Sequence, residues 1–308
     1  MQISLFGDII NLRENDTPKE TEMIRKIAER LLFPEEAILA LCACEEEMQG
    51  SAEDLKRAID GLYTQNDNGY LDIFEKIAQD SGVNRYESDM VVLLLAAIPL
   101  QDKYREMGYS DSLFDETMAD LRYKLYECKT VYGVWGSFVT FWFKEFYLLE
   151  RFKLGRMQYE RKPFPIDGHE DLIKKDEIFI NCHIPSSGPM LVEDIKESLR
   201  LAYEFYKDDR KEGKLTVACF SWLLYPPIFA DFKEGSNIRN FYDLFDIIES
   251  KDNEINPDFW RVFGVKYTPD AIDGVVVDNS LKRKIYDHIK SGGNMGYGIG
   301  IIVVDENY

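Results

Sequence analysis

The spacing of apolar residues changes along this chain, and that change constrains the fold more than any other feature. Over the first 110 residues, apolar side chains recur every three or four positions, which is the period of an amphipathic helix. Strand-like stretches appear only later, and helical stretches separate them. The sequence therefore predicts two domains, an all-helical one over residues 1–110 and an α+β or α/β one with a mixed sheet over residues 111–308.

Individual elements follow from the same pattern. In the first part, helices are expected at Thr21–Leu32, Pro34–Met48, Leu71–Gln79 and Glu87–Ala97 (with Pro99 as an interruption), and a further helix is expected to begin after a cap at Ser51. A turn is expected at Asn66–Gly69. One more helix, Asp111–Lys129, is expected at the start of the second part. Val131–Leu149 is strongly aromatic and is interpreted as a helix followed by a strand. Strands are expected at Gly155–Glu160, Glu177–His183, Leu215–Leu224, Phe259–Val265 and Gly300–Val304, and helices at Leu191–Lys207, Ile238–Glu249 and Leu281–Lys290.

Composition excludes several classes of partner. The formal net charge is -19, so the chain as a whole repels nucleic acids and anionic membranes. The five cysteines form no CxxC pair and the three histidines have no zinc-ligand spacing, which indicates reduced thiols, no metal site and a cytoplasmic location. The N-terminus lacks the features of a signal peptide, and the longest apolar run, Met90–Leu100, is too short to span a bilayer. The oligomeric state stays open.

The segment from Glu177 to Met190 is the most informative one for function. It is predicted as a strand, then a loop of small residues, Ser186, Ser187 and Gly188, and then a helix start. Such a loop can hold a phosphate, because unpaired N–H groups and the positive end of the helix dipole meet there. An ordinary helix start, with Ser187 as N-cap and Pro189 near the first helical position, is the commoner arrangement. The Lys-Ser/Thr ending of a P-loop is missing.

Two further features lie near this loop. Basic side chains cluster at Arg151, Lys153, Arg156, Arg161 and Lys162. They indicate either a site for a polyanionic cofactor or an acidic acceptor, or a solvated strand face. Alternation places Arg156 on the same strand face as Leu154 and Gln158. His183, at the end of its strand, is either a proton acceptor or a hydrogen-bonded structural histidine.

Five segments, in order, resemble one family. They are Leu154–Tyr159, His183–Pro189, Cys219–Leu224, Ser236–Ile238 with Phe241 and Phe245 after it, and Ser280–Arg283 leading into the glycines at 292, 293, 296, 298 and 300. Together they resemble the bacterial acyltransferases of GNAT-like fold that pair a helical N-terminal domain with a GNAT-like C-terminal domain. The glycine-dense end is not a dinucleotide-binding loop, because it follows a helix and precedes a strand; it is interpreted as turns beside a cleft or an edge hairpin.

The resemblance implies a sheet that splays between Glu177–His183 and Leu215–Leu224, with the arm of an acyl-CoA in the split. It implies that acetyl-CoA or another acyl-CoA is the co-substrate and that its pyrophosphate lies on the loop. The expected cofactor-binding residues are Asn181, Cys182, Ser186, Ser187, Gly188 and Arg156. Typical members of the wider superfamily carry an Arg/Gln-x-x-Gly-x-Gly/Ala loop, whereas this loop has a single glycine.

Acyl transfer also requires catalytic groups. A base must take a proton from the acceptor amine, and His183 or Glu177 is expected to do so. Tyr225 or Tyr242 could return a proton to the thiolate, and a backbone N–H near Asn181–His183 could bind the oxyanion. The expected acceptor is a small-molecule or peptide amine. The alternative is a non-catalytic ligand sensor on the same fold; a serine hydrolase is disfavoured because no G-x-S-x-G motif occurs.

Overall fold

The computed structural model describes residues 20–65 and 69–308, and the chain forms two compact units that divide between Glu150 and Arg151. The predicted boundary near residue 110 falls inside the first unit, because the two helices that follow residue 110 pack on the long helix before it. The division therefore differs from the predicted one. The N-terminal segment tested for a signal peptide and residues 66–68 of the predicted turn lie outside the described residues.

The described part of the first unit is helical, as predicted. Its helices are α1 (Glu20–Arg30), α2 (Glu35–Glu47), α3 (Ala52–Leu62), α4 (Tyr70–Ser81), α5 (Arg85–Glu106), α6 (Asp111–Met118), α7 (Asp120–Tyr132) and the short α8 (Lys144–Tyr147). The predicted helix over Asp111–Lys129 is two helices, α6 and α7, which meet at Ala119. The expected cap at Ser51 makes no capping hydrogen bond; its hydroxyl contacts the Ser81 hydroxyl at 3.0 Å instead.

Helix α5 forms the centre of this unit. It is buried from Ser88 to Ala97, and it packs against α1 to α4, α6 and α7. Pro99 was expected to interrupt it, but the helix continues to Glu106. A proline inside a helix removes one hydrogen bond. Here packing on many sides holds the helix together, so tertiary contacts outweigh the local preference. Within the described ranges, every helix is too short or too polar to serve as a bilayer-spanning segment.

The aromatic segment Val131–Leu149 contains no strand, contrary to the prediction. It completes α7, turns at Gly133 with φ +78°, and continues as a 3-10 turn over Thr140–Phe143 and then α8. Its polar groups bind the central helix, since the Tyr147 hydroxyl donates to the Leu93 carbonyl at 2.6 Å. The periodicity is ambiguous because the segment combines the end of α7, an irregular stretch, a 3-10 turn and the short α8, so no single period runs through it.

The second unit contains a six-stranded mixed sheet. The strands are β1 (Arg151–Leu154), β2 (Met157–Pro163), β3 (Ile178–His183), β4 (Leu215–Ser221), β5 (Asp246–Lys251) and β6 (Tyr297–Val304), in the order β1-β2-β3-β4-β6-β5. Only β3 and β4 are parallel neighbours. The helices are α9 (Val192–Phe205), α10 (Pro226–Phe229), α11 (Asn237–Tyr242), α12 (Phe259–Phe263) and α13 (Ser280–Lys290). The predicted fold class, helices followed by a mixed sheet, is confirmed.

Two predictions in this unit are wrong. Phe259–Val265 was expected as a strand, but it begins with helix α12, whose Phe259 and Phe263 rings lie 4.5 Å apart in successive turns. Ile238–Glu249 was expected as one helix, but α11 ends at Tyr242 and β5 begins at Asp246. Strand β5 lies at the sheet edge and most of it is exposed, so it lacks the alternation that marks a half-buried strand.

The two faces of the sheet have different cover. Helix α9 packs on one face, where its Ser198 hydroxyl contacts the Tyr159 hydroxyl at 2.9 Å. The opposite face, called here the His183 face, carries Glu160, Asn181 and His183, since strand residues two apart share a face and Glu160 pairs with Asn181. Apolar side chains continue the His183 face and form a buried cluster of Phe164, Ile173, Phe179, Ala218 and Ile301.

Candidate active site at the split between two parallel strands

The central pair of strands separates at its C-terminal end. Strands β3 and β4 are in register only from Ile180 opposite Val217 to Cys182 opposite Cys219. Strand β4 continues to pair with β6 as far as Ser221, so it is β3 and β4 that part. The sheet therefore opens beside His183, the last residue of β3, as the resemblance implies.

The glycines of β6 account for the path of β4 beyond this point. After Ser221 the chain forms a 3-10 turn over Trp222–Leu224 and packs on β6. A Cβ atom at Gly298 would lie 1.9 Å from the Leu224 carbonyl oxygen, and one at Gly300 would lie 2.6 Å from Cβ of Phe245. Only glycine at position 298 allows the chain after Ser221 to pack this closely on β6, whereas Gly300 makes room for Phe245, which precedes β5. These glycines lie within a strand, so the interpretation of the segment as turns does not hold for them.

The loop after β3 is longer than it would be if Ser187 were the N-cap of the next helix. Helix α9 begins at Val192 with Leu191 as its N-cap, so Ser187 is not the N-cap and Pro189 is not at the first helical position. Gly188 has φ +120°, a conformation that favours glycine, and the space where its Cβ would lie is open. Two exposed acids, Glu193 and Asp194, occupy the first turn of α9. An anion is therefore better placed on the loop than at the helix start.

Arg156 holds this loop. The β1–β2 register pairs Leu154 with Met157, which leaves Gly155 and Arg156 as a two-residue hairpin turn. Arg156 is thus not on a strand face, contrary to the alternation argument. Its guanidinium donates to the carbonyls of Pro189, Pro185 and Gly188 at 2.9, 3.0 and 2.8 Å. It also contacts the Ser187 hydroxyl at 3.0 Å and the Met190 sulfur at 3.1 Å.

A buried polar cluster surrounds Glu160 on the His183 face. Oε1 of Glu160 lies 2.8 Å from Nε2 of His183 and 3.0 Å from Nδ2 of Asn181. Oε2 accepts from Nε and Nη2 of Arg151 at 3.1 and 2.8 Å, and Nζ of Lys162 lies 3.6 Å away. Glu160 is 2% exposed and Arg151 is 3% exposed. His183 is therefore attached to a buried ion pair that extends over three strands.

The charge of Glu160 is fixed by these neighbours. Burial opposes ionisation, but the hydrogen bond with His183 and the positive charges of Arg151, of protonated His183 and of Lys162 outweigh it and lower the pKa of Glu160 to about 2. Sequence reasoning singled out Arg151 for an anionic ligand, whereas its guanidinium binds Glu160. Glu160 itself was missed. The available signal was the polar alternation of Gln158, Glu160 and Lys162 within one strand.

Two predicted catalytic residues lie elsewhere or are engaged elsewhere. Glu177 precedes β3 at the end opposite His183, roughly 20 Å away at the rise of a strand, and it accepts from Nζ of Lys211 at 2.5 Å. Tyr225 follows the 3-10 turn beyond β4, and its hydroxyl donates to Asp252. Burial and that carboxylate raise the pKa of Tyr225 to about 12.

The remaining predicted residues divide between the two faces of the sheet. Asn181 lies on the His183 face, and its buried Oδ1 accepts no hydrogen bond from the described residues. Cys182 lies on the α9 face opposite Cys219, and burial raises the pKa of its thiol well above the usual range. Ser186 and Gly188 are exposed on the loop, and Ser187 is half-buried. Among the described residues, no three His, Cys, Asp or Glu side chains gather as a metal site.

The fold and the site define a class of enzyme, namely acyltransferases in which a helical domain is followed in the sequence by a domain with a splayed mixed sheet. The family model for the GNAT-like C-terminal domain matches residues 151–302, and the model for the N-acyltransferase N-terminal domain matches residues 22–149. The chain belongs to the two-domain GNAT-like acyltransferases. This confirms the family indicated by the ordered motifs. The two models also meet at the same place as the two compact units.

Solved structures share this fold. An acyltransferase variant in complex with octanoyl-CoA has a TM-score of 0.74 at 19% identity and covers 98% of this chain and 96% of its own. An acyltransferase in complex with decanoyl-CoA and teicoplanin has a TM-score of 0.71 at 19% identity, with the same coverage. An acyltransferase in complex with CoA and 10C-teicoplanin has a TM-score of 0.74 at 18% identity, again with the same coverage. Comparison with curated proteins gives no match.

Proposed function

We propose that this chain is an acyl-CoA-dependent N-acyltransferase that acts on an amine of a small molecule or peptide. The observation that carries the proposal is the split between β3 and β4, with His183 at its edge and the loop over residues 184–191 directly after it. A substrate arm inserted there would bring its reacting group beside His183. Proteins of the same fold hold octanoyl-CoA and decanoyl-CoA, and some also hold teicoplanin, which supports this choice of co-substrate and acceptor.

The loop suits the pyrophosphate of CoA. Arg156 binds the carbonyls of Pro185 and Pro189, and the peptide bonds of the described residues are trans. The N–H groups of Ser186 and Met190 therefore point away from Arg156, because C=O and N–H of a trans peptide point in opposite directions. We assign to Arg156 the role of holding the loop and placing one positive charge behind it. This replaces direct contact with the cofactor, the role expected from sequence.

The chemistry assigns one step to each group. The reaction forms an amide bond to the acceptor nitrogen, breaks the thioester C–S bond and ends with the acceptor's proton on the CoA thiol. His183 takes that proton from the amine, and a backbone N–H at the open edge of β3 or β4 binds the oxyanion. Tyr225 is the candidate donor to the thiolate, and it acts only after its hydroxyl proton turns away from Asp252. The proton held by His183 then passes through solvent to the Tyr225 phenolate, so both groups return to their starting state.

The thiols support a cytoplasmic location. All five cysteines are buried, and none of them forms a disulfide. Reduced thiols persist in the cytoplasm, whereas oxidising compartments favour disulfides. A bacterial cytoplasm is the compartment that the family resemblance favours.

The test uses two glycines with similar backbones. In Gly188→Val the backbone at φ +120° is strained and a side chain stands where the phosphates would approach. We expect CoA affinity to fall by about tenfold or more. The matched control is Gly168→Val, since Gly168 also has a positive φ of +92° and open space at its Cβ. Affinity is measured by calorimetry and by thermal shift with CoA, acetyl-CoA, octanoyl-CoA and decanoyl-CoA.

Release of CoA thiol in the presence of an amine acceptor separates an enzyme from a ligand sensor. Turnover by the parent protein with at least one acyl-CoA is the expected result. A folded Gly188→Val protein with parental CoA affinity would contradict the placement of the pyrophosphate on the loop. Equal losses in both glycine variants would assign the effect to general strain instead.

A further inference from the structure

Three polar atoms at the edge of the split determine where the proton of His183 lies. Oε1 of Glu160 lies 2.8 Å from Nε2 of His183 and 3.0 Å from Nδ2 of Asn181. The two nitrogen atoms are 3.1 Å apart. The amide nitrogen of Asn181 is only a donor, and an ionised carboxylate is only an acceptor. A lone pair on Nε2 would face the lone pairs of Oε1. Nε2 therefore carries a proton and donates it to Glu160.

Glu160 is well suited to impose this arrangement. Arg151 donates two N–H groups to Oε2, and His183 and Asn181 share Oε1, so both oxygens are fixed by donors from the neighbouring strands. Arg151 and Asn181 are the direct cross-strand partners of Glu160 in the two ladders. The register of three strands thus locates the carboxylate within hydrogen-bonding distance of the imidazole.

We propose that Glu160 is a positioning residue that keeps the neutral imidazole of His183 in the tautomer with its proton on Nε2 and its lone pair on Nδ1. Nδ1 is then the atom that takes the proton of the acceptor amine, and the carboxylate stabilises the imidazolium that forms. The inference rests on the proposed function, because it assigns to His183 the role of base.

The variant Glu160→Gln tests the proposal sharply. A carboxamide has one oxygen, and the two N–H donors of Arg151 compete for it with His183 and Asn181. We expect the oxygen to turn to Arg151 and the NH₂ group to face Nε2, which moves the histidine proton to Nδ1. The ¹⁵N shifts of His183 in labelled protein report this change of tautomer. The kcat of acyl transfer should fall by about a hundredfold, while KM for acyl-CoA stays within about threefold.

A second substitution should reverse the effect. In the double variant Arg151→Met with Glu160→Gln, the amide oxygen is released to face His183 again, so the proton should return to Nε2 and kcat should partly recover. Asp209→Asn is the control, because it removes a carboxylate from an exposed arginine partner, Arg161, on the same strand as Glu160. It should leave kcat and the histidine shifts unchanged.

The outcomes separate the two proposals. A folded Glu160→Gln protein with parental kcat, pH profile and histidine shifts would overturn the positioning role. So would a double variant whose proton stays on Nδ1. Full turnover by His183→Gln would instead overturn the assignment of His183 as base. If His183→Gln lost turnover while Glu160→Gln kept the kcat, pH profile and histidine shifts of the parent, only the role of Glu160 would be overturned.

Discussion

Two buried carboxylates, one in each unit, show how much their partners decide. Asp89 in the helical unit and Glu160 in the sheet unit are both nearly inaccessible, and each lies beside an arginine. Burial raises the pKa of Asp89 to about 6, because the hydrogen bonds from Thr140 and Arg85 only partly offset it. The pKa of Glu160 is lowered to about 2 by a larger set of donors. The same type of group is thus shifted in opposite directions.

The difference originates in secondary structure. Arg85 lies one turn before Asp89 on the same helix and makes a single contact with it through Nε at 2.5 Å. Glu160 lies on a strand with neighbours on both sides, so the register brings donors from β1 and β3 to its two oxygens. An interior strand can satisfy a buried charge from two directions. That is a suitable place to hold an anion permanently beside His183, the residue proposed here as the base.

The largest expected effect comes from removing the arginine of the sheet cluster. Arg151→Met leaves Glu160 charged and buried with fewer donors, so we expect a loss of about 3 kcal/mol or more in the free energy of unfolding. The control is Arg161→Met, whose guanidinium is largely exposed in its pair with Asp209 and should contribute about 0–1 kcal/mol. Chemical denaturation at pH 7 compares the two. If both variants lost the same free energy of unfolding, the buried Arg151–Glu160 pair would stabilise the protein no more than the exposed pair does.

A smaller effect on the free energy of unfolding is expected at Asp89, and its pH dependence is opposite to that of Glu160. Its folded pKa of about 6 exceeds the ordinary aspartate value of 3.8. Between those values the unfolded chain has released a proton that the folded protein keeps, so stability falls as the pH rises through this window. The shift corresponds to about 3 kcal/mol at most. Asp89→Asn should remove this dependence of stability on pH. The melting temperature of the variant should therefore rise relative to that of the parent protein between pH 4 and pH 7. A constant difference between the two proteins would contradict the raised pKa.

Thr140→Val sharpens the same comparison. The Thr140 hydroxyl donates to Asp89, and this bond lowers the pKa of the carboxyl. Without it, the window in which stability falls should extend to higher pH. Glu160 has the opposite sign, because its stabilising contribution is present above about pH 4.5 and is lost as the pH falls toward 2.

The sequence supports prediction of part of the site and not the rest. His183 and the loop after it, which stay candidates, were singled out because a strand, small residues and a helix follow one another locally. Glu160 and the true role of Arg156 depend on which residues face each other across strands, and one strand's alternation does not give that register. The hairpin at Gly155 and Arg156 removed Arg156 from the strand face on which alternation had placed it.

The fold shows the same limit. Helices with a clear apolar stripe were predicted well, whereas Val131–Leu149 and Phe259–Val265 were not. Aromatic residues are common in strands, but here they also occur in short helices and in irregular segments, so their presence alone does not identify a strand. Pro99 shows that packing around α5 outweighs a local helix breaker.

The smallest effect in the sheet cluster is expected at Lys162. Its Nζ lies 3.6 Å from Oε2 of Glu160, and 34% of its side chain is exposed, so water and salt screen the pair. Lys162→Gln should cost no more than about 1 kcal/mol at low salt, and the cost should shrink further in high salt. Arg151→Met should keep most of its cost under the same conditions, because its pair with Glu160 is buried. Denaturation of both variants at low and high ionic strength measures this contrast. The two variants could instead lose the same free energy of unfolding and respond to salt in the same way. Net positive charge near Glu160 would then matter more than the two aligned hydrogen bonds from Arg151. The difference between Glu160 and Asp89 would in that case have to be explained by charge alone.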